Sequence, residues 1–145
     1  MFTIAVFQDV TWADRGIGAL LEDGFDETSL SVLARETEQA AALLAARFGA
    51  PAMRFDVPRL GPLLARGTLI ATLQGPDGGL AAAGLSAACR RAGFQPHDGH
   101  IYETLVGRGG VLVAVDDLAR VSDALAKLHS YGGGNAAIGA WVGRV

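Results

Sequence analysis

The chain has 145 residues, of which 50% are hydrophobic and 19% charged, and its formal net charge is −3. That length is one domain's worth and can bury a core without disulfide or metal staples. The acidic balance argues against nucleic acid as the main partner, because phosphate binding needs a clustered positive field.

The mean hydropathy of +0.31 is high for a small soluble protein. It points either to surface buried in a homo-oligomer or to a segment that touches a membrane. Cys89 is the only cysteine, so no intramolecular disulfide forms. It reads as a small buried hydrophobe. Arg90 and Arg91 beside it leave open a lowered thiol pKa and a redox role. The first ten residues lack a basic region and reach Asp9 too soon for a signal peptide. No apolar window of spanning length is free of charges and breakers. A cytoplasmic protein is expected, with peripheral membrane contact left open.

In chain order, Phe2 to Phe7 is rich in β-branched and aromatic residues and predicts a strand. Thr11 with Asp14 predicts a helix start, and Ile17, Leu20 and Leu21 form its apolar stripe. Gly24 fits the position just past the helix, with Phe25 folding back. Ser29 to Leu33 alternates as a half-buried strand. Glu36 to Phe48 is Ala- and Leu-rich and predicts a helix stopped by Gly49-Ala50-Pro51. Met53 to Leu60 contains Pro58 and reads as an irregular connection or a short edge strand.

Leu63 to Leu73 and Gly79 to Ala92 predict the two arms of a helical hairpin, broken by residues 74–78. Gly79, Ala83, Ala87 and Arg91 lie four apart, a spacing at which small residues let helices approach closely. Pro96 to Arg108 predicts a short helix ended by Gly109-Gly110. Val111 to Val115 predicts a buried strand. Asp116 or Asp117 then caps a helix with Leu118, Val121, Leu125 and Leu128 as its core stripe. After Gly132-Gly133-Gly134, residues 136–142 predict a last strand. Ile138, Ala140 and Val142 share one face, with Trp141 on the other.

The two ends look like one unit written twice. Asp9 to Gly24 and Asp117 to Gly132 are both fifteen steps, and each follows an apolar run. The expected fold is α+β and ferredoxin-like, with two split β-α-β units forming a four-stranded antiparallel sheet. Residues 1–34 are the first unit, 35–109 a helical insert with the hairpin, and 110–145 the second unit, all in one domain. One sheet face then needs a cover, from the insert or from a second subunit.

Three stretches carry a resemblance. They are Gly61-Pro62-Leu63-Leu64-Ala65, the Gly/Ala-rich segment ending in Ala92-Gly93-Phe94, and Tyr102 to Gly110 before a strand. With the opening strand, the helix ending in Gly24-Phe25 and the strand from Ser29 to Leu33, they resemble the heat-induced general stress protein family across nearly the whole chain. The resemblance implies a small, stress-associated, oligomeric protein and no particular reaction. The middle segment is shorter than the glycine zipper such proteins often carry. Its Arg66 and Asp77 count against deep membrane insertion.

His97, His100 and Glu103 are spaced three apart at the start of a helix, so they could share one side. Imidazole and carboxylate suit a divalent metal. The alternative is an ordinary solvated helix start, with Pro96 in the first turn and Asp98 at the positive dipole end. A symmetric oligomer could complete a metal site, with His129 as a further ligand. Gly132-Gly133-Gly134-Asn135 follows a helix instead of opening one, unlike a phosphate-binding loop, and reads as a loop. Trp141, Ile138, Gly79, Ala83 and Ala87 are the interface candidates.

Three functions follow as expectations. The first is a non-enzymatic, stress-associated structural or interaction protein that self-assembles. The second is a regulatory domain that binds a small ligand or a metal. The third is a peripheral membrane protein acting through Leu63 to Ala92. No cofactor is expected apart from the divalent metal of the second reading.

Overall fold

A computed structural model describes residues 2–49 and 52–134. Five strands form one antiparallel sheet: β1 (Phe2–Phe7), β2 (Leu30–Arg35), β3 (Met53–Val57), β4 (Gly61–Arg66) and β5 (Val111–Asp116), in the order β1-β5-β2-β4-β3. Seven α-helices connect them among the described residues: α1 (Val10–Glu22), α2 (Glu38–Phe48), α3 (Thr68–Gln74), α4 (Gly79–Ala83), α5 (Leu85–Arg91), α6 (Pro96–Gly107) and α7 (Val121–Ser130). The class is α+β as expected, with five described strands in place of four. Residues 136–142, and with them Trp141 and Ile138, lie outside the described residues.

β1 and β2 both pair antiparallel with β5, which lies between them. The segment read as a helical insert, with an irregular connection or short edge strand over Met53 to Leu60, holds a strand pair: β3 is an edge strand and forms a hairpin with β4, with Val57 opposite Gly61. The expected helical arm over Leu63 to Leu73 is therefore corrected. Its first half is β4, paired with β2 on one side and β3 on the other. Leu63 and Ala65 face one core, and Leu64 faces the other. A strand buried on both faces is a continuous apolar run, which periodicity cannot separate from a buried helix. Gly67 makes the turn into α3.

The other expected arm is corrected too. The chain from Gly79 to Ala92 is two short helices, because Gly84 takes φ of 98° between them. Gly79, Ala83 and Ala87 therefore share no continuous helix face. Gly79 is buried beneath Arg91, whose guanidinium occupies the space a Cβ there would need. Arg91 also donates to the carbonyls of Leu73 and Gln74 at the end of α3.

Helix ends follow local chemistry. Asp9 caps α1 by accepting from the Trp12 N–H at 2.9 Å, so the helix starts one position before Thr11. Thr37 caps α2 through the Ala40 N–H at 3.0 Å. Gly24 and Phe25 donate back to Leu21 and Leu20, and Phe25 is buried, as the Gly-Phe pair predicts. The stripe expected on the last helix is shifted. Leu118 lies in a 3-10 turn and is 74% exposed, while Ala124 and Leu128 make the buried contact.

Helices cover both faces of the sheet. Phe7, Val32, Val113 and Val115 pack with Ile17 and Leu20 of α1, Leu43 and Leu44 of α2, and Leu128 of α7. Ile4, Val6, Leu33, Leu112 and Ala114 pack with Leu69, Leu73, Leu80, Leu85, Leu105 and Val106 of α3–α6. The insert thus supplies the cover that the second face needs. A sheet buried on both sides requires apolar residues at nearly every strand position. The high hydropathy has that internal cause and does not itself call for a second subunit.

Candidate functional site

The residues expected to hold a metal are placed on α6 but face different surroundings. His97 and His100 are exposed. Glu103 turns inward: Oε1 accepts from Arg59 Nε at 2.9 Å, and Oε2 accepts from the Ser86 backbone N–H at 3.0 Å. Arg59 also donates to the Ala83 carbonyl. The carboxylate therefore ties the β3–β4 turn and the α4–α5 junction to α6. Among the described residues, no group of three His, Cys, Asp or Glu side chains is placed to hold a metal ion. His129, near the end of α7, is exposed.

Burial alone would raise the Glu103 pKa, but hydrogen bonds from Arg59 and Ser86 outweigh it and hold it below the ordinary value. A lowered folded-state pKa stabilises the fold above the unfolded value, and that share is lost as pH falls through the folded value. Glu103→Gln is expected to cost about 1–3 kcal/mol at pH 7, the scale of a charged hydrogen-bond pair. Urea titrations should show the gap to the parent chain narrowing as pH drops below about 4.5, the ordinary carboxyl value.

Cys89 lies in the α5 core at 2% exposure. Burial, then the negative charges of Glu103 and Asp98, push its thiol up to about 12. Arg90 and Arg91 do not activate it. Arg91 is turned to Asp77 and the end of α3 instead. Native protein at pH 8 should react with a thiol reagent at least a hundredfold more slowly than the urea-unfolded chain. Comparable rates would show an accessible thiolate.

One hollow on the described surface was not visible as a motif. α1 follows β1 and α2 follows β2. Because β1 and β2 run the same way, both helices start at the same end of the sheet. Between them is a groove of about 380 Å³, lined by Val10, Thr11, Asp14, Gln39, Ala42, Leu43 and Ala46. A second hollow of about 320 Å³ shares Val10, Thr11 and Gln39 and adds Asp9, Thr37 and Gly109. The two are adjoining hollows open to solvent, reaching from the helix exterior towards the loop before β5.

Val10, Ala42, Leu43 and Ala46 give the larger hollow an apolar wall, and Thr11 and Gln39 offer hydrogen-bonding groups. Asp14 is partly neutralised by Arg47, whose Nε donates to it at 2.7 Å. Arg47 also fills the space beside Gly18, which fixes α2 against α1. The arrangement can receive an apolar body with a neutral hydrogen-bonding end. Asp9 and Asp14 at the rim disfavour a bare anion.

No family model matches the chain, and neither a curated protein nor a solved structure matches it. Among the described residues, no helix is long and apolar enough to cross a membrane.

Proposed function

We propose that the protein is a non-enzymatic, stress-associated binding module that receives a small amphipathic ligand in the hollows between the starts of α1 and α2. The hollows themselves carry this reading: apolar wall and polar rim residues converge there from two helices and the β5 loop. The stress association rests on the family resemblance of the sequence. The finer fold reading is ferredoxin-like, supported by β5 lying between β1 and β2, with the β3–β4 hairpin extending the far edge.

Ligand-observed NMR against a library of small amphipathic compounds tests the binding reading. Ala42 is exposed on α2, so Ala42→Trp fills the groove without entering the core. A ligand of these hollows should lose at least tenfold in affinity to this variant. Binding that Ala42→Trp leaves unchanged, or no saturable binding at all, overturns the reading.

A second reading, self-assembly, is favoured by one observation. Met53 is 45% exposed on β3, the outermost strand beyond β4. Both sheet faces are covered by the chain's own helices, so a homo-oligomer of this protein would form along an edge or a helix exterior. Sedimentation velocity at micromolar concentration tests it, and a single monomeric species would discard it.

A further inference from the structure

Among the described residues β3 pairs with β4 on one side and with no strand on the other. Val57 is buried and Phe55 packs against the core under α3–α6. Arg54 and Asp56 alternate with them on the opposite face, and both are exposed. The turn after β3 shows which way its backbone points. The Val57 carbonyl accepts from the Leu60 N–H at 3.1 Å, so it is directed toward β4. In a strand the N–H and C=O of one residue point to the same side, and that side alternates from residue to residue. The polar groups of Met53, Phe55 and Val57 are therefore directed at β4. Those of Arg54 and Asp56 point to the outer edge.

We propose that the outer edge of β3 pairs with the same edge of a second copy of this chain, antiparallel about a two-fold axis through Phe55, so that two sheets become one. The inference rests on the self-assembly reading and names its surface. It is independent of what the hollows beside α1 and α2 bind. Outward-pointing residues of two such strands can face each other in three ways. Two of them set Arg54 against Arg54 or Asp56 against Asp56, and like charges directly opposite are destabilising. The third sets Arg54 of each copy against Asp56 of the other, as a two-fold axis requires. It alone forms two hydrogen-bonded rungs within the strands. Phe55 then meets its own counterpart at the non-hydrogen-bonded position, where side chains come closest, and Met53, 45% exposed, lies opposite Val57 of the other copy. Pro58 has no N–H and ends the ladder at both sides. The Asp56 side chain is 77% exposed and 3.7 Å from Arg54 of its own strand, while Arg54 sits closer to Glu36, at 3.0 Å. That leaves the Asp56 carboxylate open to a second guanidinium. Charges of one sign would protect this edge against its like. Opposite charges two residues apart reject two registers and favour the third.

Sedimentation velocity across the micromolar range, on the full chain and on its Arg54→Asp and Asp56→Arg variants, tests the pairing. Both side chains are exposed, so neither change enters the core. Each variant alone sets like charges opposite each other and should dimerise at least tenfold more weakly than the parent. Mixed in equal amounts, the two should dimerise at least tenfold better than either alone, because every facing pair is then opposite in charge. Variants that dimerise like the parent, or a mixture that gains nothing, overturn the β3 pairing and leave self-assembly through another surface standing. A parent chain that stays monomeric overturns both. In amide hydrogen exchange of the parent, the Arg54 and Asp56 N–H groups should slow at least tenfold from dilute to concentrated solution. Unchanged exchange at these two residues in a chain that does dimerise overturns the pairing even if the variants do not fold.

Discussion

Gly67→Ala should remove about 3 kcal/mol of stability or more, the sum of backbone strain and a backbone clash. Gly67 links β4 to α3 at φ of 102° and ψ of 176°, a region open essentially to glycine alone. A Cβ there would lie 2.6 Å from the Ser31 Cα and 2.7 Å from the Leu30 carbonyl oxygen. Those atoms belong to β2, which is paired on both sides and cannot retreat. Ser31 is fully buried and its Oγ accepts from the Leu69 N–H at 3.0 Å, so the same crossing also caps α3. Gly61→Ala is the control. It also has positive φ, but a Cβ there meets nothing within 4 Å, so only the strain of about 1 kcal/mol should appear. Urea denaturation of the two variants measures the difference. Equal losses would mean that β2 gives way at Ser31.

Phe7→Ala should cost about 3–5 kcal/mol, the range for emptying an aromatic site in a core. Phe7 is fully buried at the end of β1. Its ring lies where a Cβ on Gly16 of α1 would be, with Cζ only 2.6 Å from that position. The aromatic ring and the bare helix face are one contact. Gly16→Ala alone should cost about 1–3 kcal/mol by overpacking. In a Phe7→Leu background the same substitution should cost clearly less, because the atoms it meets are gone. A double-mutant cycle by denaturant titration reads the coupling, and strict additivity would refute the shared contact.

The parts of this fold that sequence made legible have one apolar face or distinctive end residues. α1 has Ile17 and Leu20 inside and Gly24-Phe25 at its end. α6 begins on Pro96, and β1, β2 and β5 are short apolar runs between charged or turn residues. β4 is buried on both faces, as β1, β2 and β5 are, so no alternation marks it. Its apolar run then merges across Gly67 into α3, so strand and helix read as one arm. The small-residue stripe at Gly79, Ala83 and Ala87 failed for a related reason. Spacing along a sequence assumes a continuous helix, and the backbone at Gly84 breaks it. At the candidate site, Val10, Thr11 and Asp14 meet Gln39, Ala42 and Ala46 only because β1 and β2 run parallel on either side of β5. No local pattern encodes that meeting. His97, His100 and Glu103 do share a helix, but a long-range pair with Arg59 takes the carboxylate.

The position of β5 also sets an order of events during synthesis. β1 and β2 never pair with each other, and the strand that joins them is made last of the five. When residues 2–35 leave the ribosome, neither strand has β5 beside it. At ordinary elongation rates the wait for residues 111–116 is on the order of ten seconds. In that interval β2, β4 and β3 can zip together as a local meander, while β1 and α1 hold Phe7, Ile17 and Leu20 with their final sheet partner missing. The nascent chain therefore carries an apolar strand and an amphipathic helix through most of translation, the kind of segment that holding chaperones bind.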